Sequence, residues 1–146
     1  MAAIKEWFGL YSVIYSWIEK NYGYDELTKY WENTARQIYP ALARDFREKG
    51  SGYIKEYFEE VFAADDGAAT GTIDDTGVTI RVTESPDKKW SEAFGYSAYA
   101  LKPWYFDHYK YVYGTVADMA GLRFEMLSCP PDGRCEFRFS LKEATI

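Results

Sequence analysis

One histidine and two cysteines are all that 146 residues contain of the strongest metal ligands and nucleophiles. Two cysteines are too few for the disulfide framework that holds small secreted domains together. With a single histidine beside them, a four-ligand zinc site would need carboxylates or water to complete it. No run approaches the roughly 20 apolar residues that span a bilayer. The opening MAAIKEWFGLYSVIYSWIEK is apolar, but Tyr11, Ser12, Tyr15 and Ser16 interrupt it, and it has no basic leader or cleavage-site pattern. Lysine and arginine number 17 against 23 acidic residues, a net charge of −6, and nowhere do the basic residues cluster. The counterion release that drives nucleic-acid binding therefore has no source. These absences describe a single cytoplasmic domain with no membrane and no nucleic acid among its partners.

What is present is aromatic. Nine Phe, fourteen Tyr and five Trp make 19% of the chain. Tyr and Trp carry large apolar bodies with one polar handle, which suits the wall of a ligand cavity. They also suit a core built from rings in place of aliphatic side chains.

Periodicity places the elements. Trp7, Tyr11, Ile14 and Ile18 recur at helical spacing in a first segment over residues 4–20. Asp25 is a suitable N-cap for a second helix reaching Lys49, with a stripe at Leu27, Trp31, Ala35, Ile38, Leu42 and Phe46. Pro40 inside that pattern predicts a kink or break near Ile38–Tyr39, and Gly50 closes it. Ser51 caps a third helix bearing Ile54, Tyr57, Phe58, Val61 and Phe62. The period then falls to two: Val78, Ile80 and Val82 alternate with Thr79, Arg81 and Thr83 in a hairpin turning at Asp75-Thr76-Gly77. Pro86 ends that strand, and SPDKKWSEAFGYSAYALK suits a short helix followed by a loop. Pro103 fits the first turn of a helix with the stripe Trp104, His108, Val112 and Val116, closed by Gly121. LRFEMLSC and CEFRFSL form a last hairpin. The fold class is α+β, a four-stranded antiparallel sheet from two hairpins with helices on one face.

Three places can hold chemistry. In the last hairpin, a three-residue loop Pro131-Asp132-Gly133 sets Cys129 opposite Cys135, with both thiols on the face of Leu127, Phe137 and Phe139. They read as two small buried hydrophobes, with a redox pair or half of a metal site as the alternatives. His108 stands in an apolar stripe, either as a core histidine bonded to a backbone carbonyl or as a general acid–base group. Continuing the alternation from Val82 puts Glu84 on the inward face, where it would meet His108 at the core's rim unless the strand frays first. Glu84, His108 and Asp107 are the catalytic candidates, and Trp31, Trp104, Tyr105 and Cys135 the substrate-binding ones. No metal and no cofactor is expected.

DELTKYWENTARQIYPALARDFREKG, VTIRVTESP, FDHY and DGRCEFRF together resemble the L-2-amino-thiazoline-4-carboxylic acid hydrolase family, over residues 24–140. The last of these motifs also resembles the closing hairpin of 4-vinyl reductase-type ligand-binding domains. The first resemblance implies hydrolysis of a cyclic C–N bond; the second implies non-catalytic binding or sensing of a small molecule. Asp107, His108 and Cys135 match the hydrolase pattern. Ser85 stands where the family usually has a cysteine before the proline, and Phe106 and Tyr109 stand where others often occur. A thiolate reaction at that first position is therefore unavailable, and serine replaces it only with an activating base. The wide aromatic arc of the first segment also suits a homodimer interface.

Overall fold

The computed structural model describes residues 5–96 and 100–142. Its elements are α1 (Glu6–Tyr22), α2 (Tyr24–Ile38), α3 (Pro40–Ala64), β1 (Ala68–Ile73), β2 (Gly77–Glu84), α4 (Pro86–Phe94), a 3₁₀ turn (Tyr105–Asp107), α5 (His108–Ala120), β3 (Leu122–Ser128) and β4 (Glu136–Leu141). The strands form one antiparallel sheet in the order β1-β2-β4-β3. Helices pack on one face, as the alternation requires. Val78, Ile80 and Val82 of β2 and Phe137 and Phe139 of β4 are buried under α3 and α5, while Arg81 and Thr83 are exposed. α2 lies against α5, and α1 against α2 and α4, so a second helical layer stands above the first.

Proline and glycine divide the helices as expected at two points. The second helix stops at Ile38, Tyr39 leaves helical geometry, and Pro40 opens α3 at a position where a missing N–H costs nothing. Within α3, Gly50 at φ 76° and ψ −162° breaks the helix, so its two halves meet at a kink. Two starts differ from expectation. α2 begins at Tyr24 after Gly23, placing Asp25 inside the first turn instead of at the cap. The residues after Pro103 wind a 3₁₀ turn before α5 begins at His108. Of the loop expected after α4, residues 97–99 lie outside the described residues.

Two bulges reset the strand alternation. At the end of β2, Glu84 pairs with Ala68 but Val82 with Ala69, leaving Thr83 as an extra residue. A bulge moves every later side chain to the opposite face. Glu84 accordingly turns to solvent and Ser85 turns in, with 4% exposure. At the end of β3, Met126 pairs with Phe137 and Ser128 with Glu136, so Leu127 is the extra residue and is exposed, not buried beside Phe137. On the open face, Arg138 makes a bidentate contact with Asp74 (both 2.9 Å) and donates to the Thr76 hydroxyl at 2.7 Å. That clamp ties β4 to the β1–β2 turn and holds the Asp74 carboxyl well below its ordinary pKa.

Sheet closure leaves no room at Gly77. A Cβ there would lie 2.1 Å from the Phe139 carbonyl oxygen and 2.8 Å from the Ser140 Cα, both backbone atoms. Gly114, in the middle of α5, would meet only the Phe124 ring at 3.6 Å. Gly77→Ala should destabilise by about 3 kcal/mol, and Gly114→Ala should be stabilising by up to about 1 kcal/mol. Urea unfolding midpoints of the two variants check this; equal midpoints would contradict the packing at β2–β4.

Candidate functional site

The inward turn of the chain after Thr83 builds the site. Ser85 is the N-cap of α4; its hydroxyl accepts from the Lys88 amide at 3.3 Å, and Pro86 occupies the first helical position. This fixes Asp87 in the first turn with its carboxyl group buried at 5% exposure. From the other side, the 3₁₀ turn presents the Tyr105 carbonyl to His108 Nδ1 at 2.8 Å. A carbonyl only accepts, so Nδ1 carries the proton and Nε2 of the neutral ring keeps its lone pair. Nε2 lies 3.9 Å from Asp87 Oδ2, and the Tyr105 hydroxyl donates to Oδ1 at a long 3.4 Å. The gap between Nε2 and Oδ2 exceeds a hydrogen bond, so each retains capacity for a third group.

That third group has a place. A cavity of about 340 Å³ lies among the helices, with Asp87 and His108 in its wall. Among the described residues, ten Phe, Tyr and Trp line it, contributed by α1, α2, α3, α5 and Tyr39, and no lysine or arginine does. His108 keeps 13% of its side chain accessible. Two polar atoms in the lining residues are buried with no hydrogen-bond partner among the described residues, Trp31 Nε1 and the Tyr109 hydroxyl. Trp31 Nε1 stands near the Tyr15 hydroxyl and Ser85 near the Tyr109 hydroxyl, each favouring ionisation of the phenol, but neither contact has the geometry of a hydrogen bond. Buried donors of this kind are uncommon in a finished core.

Burial sets the charge state. Desolvation raises the Asp87 pKa to about 7; Asp65 adds to this and the Tyr105 hydroxyl works against it. Desolvation lowers His108 to about 4, against the bond to the Tyr105 carbonyl. The same effect pushes up the phenols of Tyr15, Tyr105, Tyr109 and Tyr113, which stay neutral donors. Between about pH 4 and 7 the site therefore holds a neutral carboxylic acid beside an unprotonated imidazole nitrogen.

The candidates from sequence distribute unevenly around this pair. His108 and Trp31 line the cavity, and Tyr105 supports both members, one through its hydroxyl and one through its carbonyl. Glu84 does not meet His108: the β2 bulge turns it outward, where it lies 3.7 Å from Lys89. Asp107 accepts a short hydrogen bond from the Tyr24 hydroxyl and so faces the start of α2. Trp104 packs against the outer side of Trp31, with ring centroids 6.3 Å apart. Cys135 is fully buried against Cys129 and does not line the cavity. Asp87 was not singled out by sequence. Ser-Pro-Asp reads as an ordinary helix start, where an acidic residue complements the dipole in solvent. Only the bulge, which no residue pattern announces, directs it inward. Among the described residues no group of three or more His, Cys, Asp or Glu is arranged to hold a metal ion, and no helix is long and apolar enough to cross a membrane.

No family model, no curated protein and no solved structure matches the chain.

The opposed shifts have a measurable consequence. Asp87 alone makes stability fall as pH rises from about 4 to about 7, because the folded protein keeps a proton that the unfolded chain releases. His108 alone makes it rise between about 4 and 6.5, because the unfolded chain binds a proton that the folded site refuses. The slopes oppose and nearly cancel in the wild type. Relative to it, Asp87→Asn should gain stability with pH over that window, and His108→Gln should lose it, each by up to about 1.4 kcal/mol per pH unit. Urea unfolding across the window tests both signs, and parallel curves for all three proteins would refute the assignment.

Proposed function

We propose that the cavity takes a small planar molecule and that Asp87 and His108 exchange protons with it to hydrolyse a C–N bond. The observation that carries this reading is the placement of a buried carboxyl and a buried imidazole 3.9 Å apart in the wall of an aromatic cavity. Hydrolysis of a cyclic C–N bond is also what the resemblance to the thiazoline-carboxylate hydrolases implies. In the reaction, Nε2 removes a proton from water as its oxygen attacks an amidine-like carbon. The Asp87 carboxylic acid gives its proton to the departing nitrogen. The imidazolium and carboxylate so formed face each other, and proton return from Nε2 to Oδ2 restores the starting state. Ser85, which holds the position of the family cysteine, is occupied as the α4 cap and serves to set Asp87.

The lining also bears on the substrate. Without lysine or arginine in the wall, a carboxylate on the ligand has no counter-ion inside, so the buried part is neutral or cationic. A second reading, a binding or sensing domain, draws on the unpartnered Trp31 Nε1 and Tyr109 hydroxyl, which a ligand would satisfy without reacting. In either case, the exposed Trp7, Leu10 and Trp17 of α1 offer the surface that a second copy would cover.

A panel of cyclic amidines, 2-amino-thiazolines and lactams, followed by NMR for ring opening, tests the proposal. Turnover should be level between about pH 4 and 7 and fall above the Asp87 pKa. His108→Gln should lower kcat/KM by about 10²–10⁴-fold, and Asp87→Asn by a similar factor while removing the alkaline fall. Undiminished turnover in both variants would remove the pair from the mechanism. Saturable binding of a panel member without ring opening would favour the second reading.

A further inference from the structure

Behind the acid–base pair, away from the cavity, the two cysteines make a second reactive site. Cys129 Sγ and Cys135 Sγ are 2.8 Å apart, inside van der Waals contact, and both are free thiols. Forming an S–S bond from there requires a contraction of only about 0.8 Å. The backbone holds them in place. The Cys135 carbonyl accepts from the Val82 amide at 2.9 Å, and the intervening loop turns through Gly133 N–H to the Pro130 carbonyl at 3.1 Å, with Gly133 at φ 80°. The two thiols differ in access and in chemistry. Cys135 is fully buried, whereas Cys129 is half-buried. Hydrogen bonding from Cys135 lowers the Cys129 pKa and raises its own, with burial and the Asp107 charge acting to raise both. The nucleophile is thus the thiol that solvent reaches, and the partner that resolves it is already in contact.

The same hairpin touches both supports of the acid–base pair. Cys129 Sγ donates to the Phe106 carbonyl at 3.5 Å, one residue beyond the carbonyl that holds His108. Gly133 packs so closely on the Phe106 ring and the Ser85 Cβ that a side chain there would stand 2.6 and 2.8 Å from them. Ser85 is the cap that orients Asp87.

We propose that Cys129 and Cys135 form an oxidation site, a reversible disulfide made by hydrogen peroxide, whose closure is transmitted to Asp87 and His108 through Ser85 and Phe106. Cys129 attacks the peroxide oxygen, the O–O bond breaks, and the leaving hydroxide takes a proton to become water. Cys135 sulfur then attacks the sulfenic sulfur of Cys129 and expels hydroxide, which takes up the proton of Cys135 to become a second water. Two thiols lose two electrons and one peroxide gains them. On closure, Cys129 can no longer donate to Phe106, and the loop seated on Ser85 shifts with the new bond. The coupling is structural and stands whichever reaction the cavity supports.

The single histidine provides the readout, since an imidazole-labelled protein has one ring to observe. The reduced full-length protein is treated with one equivalent of hydrogen peroxide and followed by intact mass, peptide mapping and ¹⁵N NMR of His108. The expected result is the loss of two hydrogens, a Cys129–Cys135 cross-linked peptide, a displaced His108 signal, and full reversal by dithiothreitol. Cys135→Ala should stop at a sulfenic acid on Cys129 that dimedone traps, and Cys129→Ser should leave both mass and His108 signal unchanged under peroxide. Over-oxidation to sulfinic acid without the cross-link, or a cross-link only in denaturant, would overturn the site. A cross-link in the folded protein with an unmoved His108 signal would overturn its transmission to the pair.

Discussion

A carboxyl group taken out of water must be neutralised, paired or well hydrogen-bonded, and among the described residues Asp87 has one long bond from Tyr105 and no cation in contact. Keeping its proton is the way left to it. Much of the surrounding arrangement follows from that requirement. The Ser85 cap and Pro86 prevent Asp87 from swinging out to solvent, and the aromatic wall keeps the local dielectric low. The Tyr105 carbonyl, by fixing the proton on Nδ1, ensures that His108 turns a lone pair and not a second donor toward the acid. Neither residue would be unusual alone. Their opposite shifts, from one shared cause, make a donor and an acceptor of protons out of two groups that in water would form an ordinary ion pair.

The rings divide by chemistry. Those packed between α3 and the sheet are mainly phenylalanines, with Phe46, Phe58, Phe62, Phe137 and Phe139 in mutual contact and Tyr109 and Tyr113 at their edge. Those around the cavity are mainly tyrosines, among them Tyr11, Tyr15, Tyr30, Tyr39 and Tyr57, with Trp31 at the centre of a cluster that touches Tyr15, His108 and Tyr111. The chain thus has both a core built from rings and a cavity walled largely by phenols. A ring without a hydroxyl suits a place where nothing polar is to be met, and a phenol suits a wall that borders an open cavity.

Periodicity was enough to locate the elements, since helices with Trp31 or Phe58 on a 3.6-residue stripe and strands with Val78, Ile80 and Val82 in alternation admit few other solutions. Pro40, Gly50 and Gly121 marked breaks and ends correctly because their backbone restrictions are local. Besides the two shifted helix starts, the side chains placed on the wrong face share one kind of event. A bulge adds a residue without any fixed sequence signature, and it reverses inside and outside from that point on. Glu84 looked inward by extrapolation, and one extra residue at Thr83 turns it to solvent and brings Ser85 and Asp87 inside. Leu127 was misplaced for the same reason. His108 and Trp31 keep the inward faces that their stripes predict, because a helical stripe carries no such discontinuity.

The sheet order has a bearing on how the molecule is made. β4 lies between β2 and β3, yet it follows both in the chain, with α4, α5 and β3 intervening between it and β2. Until it arrives, β2 has an unpaired inner edge and Phe58 lacks Phe137 and Phe139 to pack on. The first hairpin and α3 can form early from local contacts, but the step that closes the core joins distant segments and bears the loop-closure entropy of the whole second half. A nascent chain halted before β4 would present Val78, Ile80 and Val82 beside an open ladder, the kind of edge on which chains associate with one another.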